Sequence, residues 1–269
     1  MDGGVGAIGL RTRGVAQKAE LGMRRLSELS MAVTVLVALA ACSGEPRGDE
    51  KRTEAPPPRA DAPRQVGTIE AEVKYLGKPA VETVQVNKDV AACGKEKRVE
   101  KIVVGADGGL LNAVVWVADG VSGMAAKPVP KPVLDQKRCE FRPQVVAMAP
   151  GEIDILNSDD VLHNIHTFSS ANPSINKAQP KFKKVLTETF EKPEIIRVRC
   201  DVHSWMLGWI VVRPDPYFGV TDQAGMSRIE NVPAGKHSVE VWHPVLGKQA
   251  KDIEVRAGQA SRVTFEVQR

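Results

Sequence analysis

The sequence predicts an all-β fold, and three observations support that prediction. The chain contains 23 glycines and 18 prolines among 269 residues, with many short runs of valine, isoleucine and threonine between them. Apolar and polar residues alternate in several of these runs, as where Ile69, Ala71, Val73 and Tyr75 share one face. No stretch after residue 42 shows a long helical period. We therefore expect a β-sandwich or barrel with polar connections.

The first element is not part of that fold, because residues 1–41 have the order of a secretory signal peptide. Arg24 and Arg25 precede an apolar run from Met31 to Ala41, which ends in small residues. This run is about half of the roughly 20 residues that a membrane-spanning helix needs, so a transmembrane segment is the less favoured alternative.

Residues 39–42, "LAAC", at the end of this region, resemble the lipobox of bacterial lipoproteins. The resemblance implies that Cys42 is acylated and becomes the mature N-terminus, with the protein anchored on the periplasmic side of the cell envelope. Ser43 follows the cysteine, and by the same resemblance a residue other than aspartate at this point favours the outer membrane.

Residues 42–66 are polar and rich in proline, which predicts a disordered tether between the lipid and the folded part. The whole chain has a formal net charge of +4 and no block of basic residues, so a nucleic-acid partner is not expected. Contact with the membrane is expected through the lipid on Cys42.

The folded part is predicted to begin with a domain over residues 67–213. The segment "ADGG", residues 106–109, is typical of a hairpin turn. The segment 169–184 is polar, contains two prolines and is interpreted as a long loop. Further strands are predicted at 143–149, 152–157, 161–168, 185–190, 194–200 and 207–213.

The remaining residues, 214–269, are predicted to form a small C-terminal β-sandwich appendage. They contain turn signals between short strands but are few for an independent hydrophobic core. The segment "VPAGKHSVEVWH" resembles part of the carboxypeptidase regulatory-like (transthyretin-like) sandwich, which implies packing or binding and no peptidase chemistry. His237 and His243 are expected at the surface of this segment.

The expected compartment of the protein helps to assign a role to each of its four cysteines. Cys42 is assigned to the lipid, and thiol pairs in the oxidising periplasm tend to form disulfides. Cys93 and Cys139 both lie in polar, turn-like surroundings, so we expect them to form a disulfide with each other. Cys200 is then left without a covalent partner.

Cys200 is the first residue of the segment "CDVHSWM", which contains three side chains that can bind a metal ion. Residues three positions apart in a strand point to opposite faces, so Cys200, His203 and Met206 can converge only in a tight loop between two strands. A thiolate, an imidazole and a thioether suit copper held by two histidines and a cysteine with a weak axial methionine. The second histidine would be His163 or His166, which lie on opposite faces of a regular strand, and the pattern alone decides poorly between them.

The segment "PGEIDILNSDDVLHN" followed by the spacing C-x-x-H-x-x-M resembles the cupredoxins, and in particular the short ligand loop of amicyanins. The resemblance implies a Greek-key sandwich that holds one copper ion and carries electrons through Cu(I) and Cu(II) to and from a redox partner protein. It implies the ligands His163, Cys200, His203 and axial Met206, with Asn164 joining the ligand loops. The joined domains also resemble bacterial periplasmic proteins that combine a cupredoxin with a carboxypeptidase regulatory-like tail.

Other interpretations of these residues remain open at this stage. Cys200 with a histidine could be a catalytic nucleophile, but an inward-facing cysteine on an alternating strand argues against an exposed thiolate, and no enzyme activity is expected. Zinc is possible, although methionine is a poor zinc ligand. A non-redox copper-binding or structural envelope lipoprotein is the alternative function. Asp159 and Asp160 are interpreted as a solvated turn, and Trp205 as a packing residue that would shield a copper site.

Overall fold

The structure is a computed structural model that describes residues 65–120 and 130–269. All of them lie in one compact unit, Pro58–Arg269. Their elements are β1 (Val66–Tyr75), β2 (Val81–Gln85), α1 (Val90–Cys93), β3 (Glu96–Glu100), β4 (Val114–Val117), β5 (Val133–Gln136), β6 (Phe141–Arg142), β7 (Val145–Met148), β8 (Gly151–Asn157), β9 (His163–Phe168), β10 (Asn176–Gln179), β11 (Val185–Phe190), β12 (Glu194–Arg199), β13 (Leu207–Val212), β14 (Phe218–Val220), β15 (Met226–Pro233), β16 (Gly235–His243), β17 (Gly247–Val255) and β18 (Ala260–Val267).

The predicted fold class is confirmed, because nearly all regular secondary structure of the described residues is strand, and α1 is only four residues long. Among the described residues, no helix is long and apolar enough to span a membrane. The predicted signal peptide, the lipid expected on Cys42 and residues 42–64 of the predicted tether lie outside the described residues.

The middle of the chain forms a first sandwich from two sheets. One sheet has the order β10-β9-β12-β13-β7 and the other β11-β8-β5-β6. Alternation along each strand turns one face inward, as in β8, where Ile153 and Ile155 are fully buried. These residues form one core with Ile165, Ile196 and Ile210 from the facing sheet. Burial of this shared apolar surface holds the two sheets together.

A second sandwich is formed by sheets β15-β1-β18 and β14-β4-β16-β17, around a separate core. Strand β1 alternates as predicted, with Ile69, Ala71 and Val73 fully buried. It pairs antiparallel with β15 and parallel with β18. The strand pairing therefore does not divide at residue 213, where the sequence analysis separated the domains 67–213 and 214–269. The C-terminal segment is too short to bury a core by itself, and it gains β1 and β4 from the N-terminal half.

The two sandwiches meet through a third apolar cluster. Trp116 of β4 and Trp242 of β16 pack with Val211 of β13 and Val145 of β7. The rings of Trp242 and Trp209 lie 5.5 Å apart, centroid to centroid, in an edge-on arrangement. This contact covers part of the outer face of the sheet that carries β12 and β13.

Strands β2 and β3 form a two-stranded sheet that hydrogen-bonds to no other described strand, with α1 between them. We call residues 81–100 the hairpin cap. Cys93, at the end of α1, is joined to Cys139 by a disulfide, the pairing that the sequence analysis expected. Lys97 adds a hydrogen bond to the carbonyl oxygen of Arg138 and an ion pair with Glu140. A two-stranded sheet is marginally stable alone, so these links attach it to the first sandwich.

Most strands predicted in the first sandwich are present within two residues of their expected ends. The interpretation of 169–184 as one long loop is wrong, because β10 lies within it and pairs with β9. As an edge strand, β10 can expose polar side chains to solvent, which hides it from a search for apolar alternation. The turn at 106–109 is present, with Val104 bridging Leu110 across it. The following strand β4 pairs instead with β14 and β16.

Candidate metal centre

The segment between β12 and β13, residues 200–206, forms the tight loop that the sequence analysis expected. The backbone N–H of Cys200 donates to the carbonyl oxygen of Met206 at 3.4 Å, and the N–H of Met206 donates to the carbonyl oxygen of His203 at 3.0 Å. The paired strands on either side fix the two ends of the loop. These hydrogen bonds and the paired strands close the loop into a tight turn.

His163 reaches this loop from the neighbouring strand. It is the first residue of β9, which pairs antiparallel with β12, so the start of β9 lies beside the end of β12. The side chain of His163 points into the sandwich and is 0% exposed. His166, three residues further, points to the other face, where its Nδ1 lies 2.9 Å from an oxygen of Asp201 and its ring stacks on Phe168. The structure thus brings His163, and not His166, to the side chains of Cys200 and His203.

Three potential ligand atoms converge inside the sandwich. The Nδ1 atoms of His163 and His203 lie 3.0 Å apart. The Sγ atom of Cys200 lies 3.9 Å from Nδ1 of His163 and 3.8 Å from Nδ1 of His203. All three side chains are 0% exposed, and together they form a group that could hold a metal ion. Met206, the fourth expected ligand, lies in the same loop and is 1% exposed.

Each histidine is oriented by a carboxylate on its outer side. The Nε2 atom of His163 lies 2.9 Å from an oxygen of Asp159, and the Nε2 atom of His203 lies 3.0 Å from an oxygen of Asp89. A carboxylate accepts a hydrogen bond from an N–H, so these contacts favour the tautomer with the proton on Nε2 and a lone pair on Nδ1 in both rings. Carboxylates that fix the tautomer of a histidine in this way are typical of metal sites.

The protonation states agree with a ligand role. Burial lowers the pKa of His163, against the opposing effect of Asp159, and burial lowers the pKa of His203, against the opposing effect of Asp89. Burial raises the pKa of the Cys200 thiol, so a cation is needed to displace its proton at neutral pH. The site therefore offers two neutral imidazoles and a thiol that ionises when a metal ion binds.

Asp159 is itself held in place by the chain. Its carboxylate accepts hydrogen bonds of 2.7 Å from the backbone N–H groups of Arg138 and Cys139. Burial alone would raise the pKa of Asp159, but these bonds and the one from His163 outweigh it and lower the pKa. Asp159 is therefore ionised behind His163, and the interpretation of this residue as part of a solvated turn is wrong. Asp160, whose side chain is 94% exposed, does fit that interpretation.

Asn164 joins the two segments that carry the ligands, as the resemblance implied. Its Oδ1 atom accepts a 2.5 Å hydrogen bond from the backbone N–H of Asp201, directly after Cys200. Its Nδ2 group donates to Asn176 at 2.7 Å and to the side chain of Asp201 at 3.2 Å. These bonds tie the start of β9 to the loop and fix the distance between His163 and Cys200.

The hairpin cap and Trp205 cover the site from outside. Asp89 precedes α1 but makes no side-chain capping bond to the helix, and its carboxylate turns to His203 instead. The Sγ atom of Cys93 lies 3.6 Å from Nε2 of His203, so the disulfide touches this histidine. The Trp205 ring lies 5.2 Å from the His203 ring, centroid to centroid, and its Nε1 donates to the carbonyl oxygen of Cys139.

The sequence analysis missed the two carboxylates for different reasons. Asp159 lies four residues before His163, a spacing that could have suggested the contact. Asp89 is 114 residues from His203 and gave no local signal. The expectation that His243 lies at the surface is also wrong, because it is 3% exposed where β16 ends against the core.

Comparison with known proteins gives matches among solved structures alone, since no family model and no curated protein matches the chain. A copper-containing nitrite reductase from Thermus scotoductus shares 20% identity over 36% of this chain, with a TM-score of 0.29, and this chain spans 25% of that protein. A purple cupredoxin from Nitrosopumilus maritimus shares 18% identity over 31% of this chain and 100% of its own, with a TM-score of 0.27. An oxidised mutant of amicyanin shares 19% identity over 37% of this chain and 98% of its own, with a TM-score of 0.29.

Proposed function

We propose that the protein is a copper-binding electron-transfer protein of the cell envelope. In this proposal His163, Cys200 and His203 would hold one copper ion, with Met206 as a fourth, weaker ligand. Copper supplies one-electron chemistry by alternating between Cu(I) and Cu(II). No substrate is turned over, and the protein exchanges electrons with a redox partner protein.

The observation that carries the proposal is the 3.0 Å approach of two histidine Nδ1 atoms. Their carboxylate partners keep the protons on Nε2, so the two facing nitrogens are both acceptors. Two lone pairs at this distance repel, and a shared cation removes the repulsion. The Cys200 sulfur is close to both nitrogens and completes a set of three donors around one point.

The donor types favour copper over zinc. A thiolate and two imidazoles suit both metals, but structural zinc sites take four strong ligands and methionine is not one of them. Copper sites of the electron-transfer kind combine two histidines and a cysteine with a weak axial methionine, the set that this loop provides together with His163. Cys93 and Cys139 are committed to their disulfide and are not available as thiolates.

The chain's own contribution is rigidity. The histidine rings are held by Asp89 and Asp159, and Asn164 fixes the spacing of the two ligand segments. The ligand side chains are buried in a close-packed core, which leaves them little freedom to move. Donors held in one arrangement need little rearrangement when the charge at the site changes by one, which favours fast electron exchange.

The proposal places the protein on the periplasmic side of the envelope, anchored by a lipid on Cys42, in the outer membrane. The resemblance of the N-terminus to a signal peptide with a lipobox supports this location. The disulfide between Cys93 and Cys139 is in keeping with an oxidising compartment. Full burial of Cys200 argues against the enzymatic alternative, since a nucleophilic thiolate must meet a substrate.

Adding Cu(II) to the copper-free protein tests the proposal. We expect one equivalent to bind and to give an intense visible band from charge transfer between the Cys200 thiolate and copper. Cys200→Ser should abolish the band. Stoichiometric Cu(II) binding without colour would instead support the alternative, a non-redox copper-binding or structural lipoprotein.

A further inference from the structure

A cavity of about 460 Å³ opens on the surface beside Trp205. Its walls come from the hairpin cap and the residue that follows it, from the outer face of β12 and β13, from the end of the ligand loop, and from residues 244–245 of the second sandwich. Cavities that hold small organic molecules have volumes of about 300–1,000 Å³ and often lie where domains meet. The size and the position of this cavity therefore suit one small molecule.

The cavity carries an excess of positive charge. Lys101 in its wall is neutralised by Glu82, with Nζ 2.7 Å from the carboxylate. Arg197 and Arg199 also line the cavity, and neither has an ion pair with a carboxylate of the described residues. The guanidinium of Arg197 lies over the Phe168 ring, 4.3 Å from its centroid, which leaves its charge without a counter-ion. Arg199 is only partly exposed. A half-buried guanidinium without a counter-ion attracts an anion, and its planar donors match a carboxylate.

The same cavity has an aromatic wall. Trp205 and Trp209 line it, together with Leu207. Trp209 stands opposite Arg197 across the β12–β13 ladder, and Leu207 stands opposite Arg199. The cationic side chains of β12 and the apolar side chains of β13 therefore lie side by side on one surface. Indole rings stack on flat apolar groups, while the two arginines bind a charged end. This pairing selects for a molecule that has both features.

We propose that this cavity binds a small organic anion with an aromatic ring, such as an aromatic carboxylate. The ring would lie against the two indoles and the carboxylate against Arg199 and Arg197. The Trp205 ring lies 5.2 Å from the His203 ring, so one side chain separates the bound molecule from the candidate metal centre. Any effect of the bound molecule on the metal centre rests on the proposed function, but binding of the molecule in the cavity does not.

The test uses the copper-free protein, so that its outcome is independent of metal binding. The chain has four tryptophans, and their indole N–H signals can be followed by nuclear magnetic resonance during titration with 1-naphthoate. We expect saturable shifts at Trp205 and Trp209, with a dissociation constant on the order of 1 mM or lower for a ligand of this size. Trp116 is 1% exposed, does not line the cavity, and should not shift.

Matched probes and variants separate charge recognition from apolar adhesion. The uncharged 1-naphthamide has nearly the same shape and should bind about tenfold more weakly, because it lacks the charge-assisted bonds. Arg199→Gln should weaken naphthoate binding by a similar factor and leave naphthamide binding unchanged. Arg262→Gln, on the outer face of the second sandwich, is the control and should have no effect.

Equal affinity for the two probes, or unchanged naphthoate binding by Arg199→Gln, would overturn the proposal. So would the absence of saturable shifts at the two cavity tryptophans. If naphthoate binds as expected while copper does not bind to the protein, the proposed function fails and the cavity assignment stands.

Discussion

Removing the disulfide between Cys93 and Cys139 should weaken both the fold and the cover of the candidate metal centre. The two cysteines are 46 positions apart, and both are nearly fully buried. The loop-closure estimate for that length is about 13 cal/mol/K, or about 4 kcal/mol at 25 °C. We therefore expect the Cys93→Ala/Cys139→Ala variant to lose about 4 kcal/mol of unfolding free energy, measured by urea denaturation.

Loss of the disulfide should increase local opening more at the hairpin cap than elsewhere in the fold. The cap pairs with no other described strand, and α1 carries Asp89 and Cys93 against His203. Without the cross-link the cap should open more often and expose the buried thiol of Cys200. Labelling of Cys200 by iodoacetamide in the copper-free protein should then accelerate by at least about tenfold, because labelling follows the population of the open form.

A variant of matched instability separates local opening from general weakening. Ile229 is 2% exposed in the core of the second sandwich, and Ile229→Ala should cost about 2–5 kcal/mol without touching the cap. Its Cys200 should be labelled much more slowly than that of the double cysteine variant. Equal labelling rates in the two variants would show that the disulfide does not hold the cap over Cys200. An unchanged urea midpoint without the disulfide would show that it does not stabilise the fold.

Three further predictions concern single residues. Asp159→Asn should lower copper affinity about 10- to 100-fold in a competition titration, whereas the exposed Asp160→Asn should not; equal effects would contradict the orienting role. His163→Ala should remove the visible copper band and His166→Ala should keep it, and the reverse result would show that the other face of β9 faces the metal. Burial lowers the pKa of His243 to about 4 from 6.5, so the unfolded state takes up the proton first. Stability present at pH 7 should fall by up to about 3 kcal/mol between about pH 6.5 and 4, and urea unfolding of His243→Gln should show a flatter profile.

The features that the sequence predicted are those fixed by neighbouring residues. Alternation along β1 predicted its buried face, because a strand turns every second side chain to the same side. The spacing of Cys200, His203 and Met206 predicted a tight loop, because residues three apart in a strand point to opposite faces. The partners of β1 were not predictable in this way, since β18 lies almost 200 residues further along the chain.

The surroundings of the candidate site also depend on contacts that local sequence pattern could not predict. Alternation placed His163 and His166 on opposite faces but could not say which face is the inner one, and the pairing of β9 with β12 decides it. Asp89 reaches His203 only because the disulfide brings the hairpin cap across the site. Contacts of this kind depend on tertiary packing, which no local pattern encodes.

X-ray absorption at the copper K edge of the copper-loaded protein reports which atoms surround the metal. We expect one sulfur at short distance, from Cys200, and two imidazole nitrogens, from His163 and His203. Cys200→Ser should remove the short sulfur contribution and leave the nitrogens. A spectrum fitted by nitrogen and oxygen ligands alone, unchanged in Cys200→Ser, would show that Cys200 is not a copper ligand.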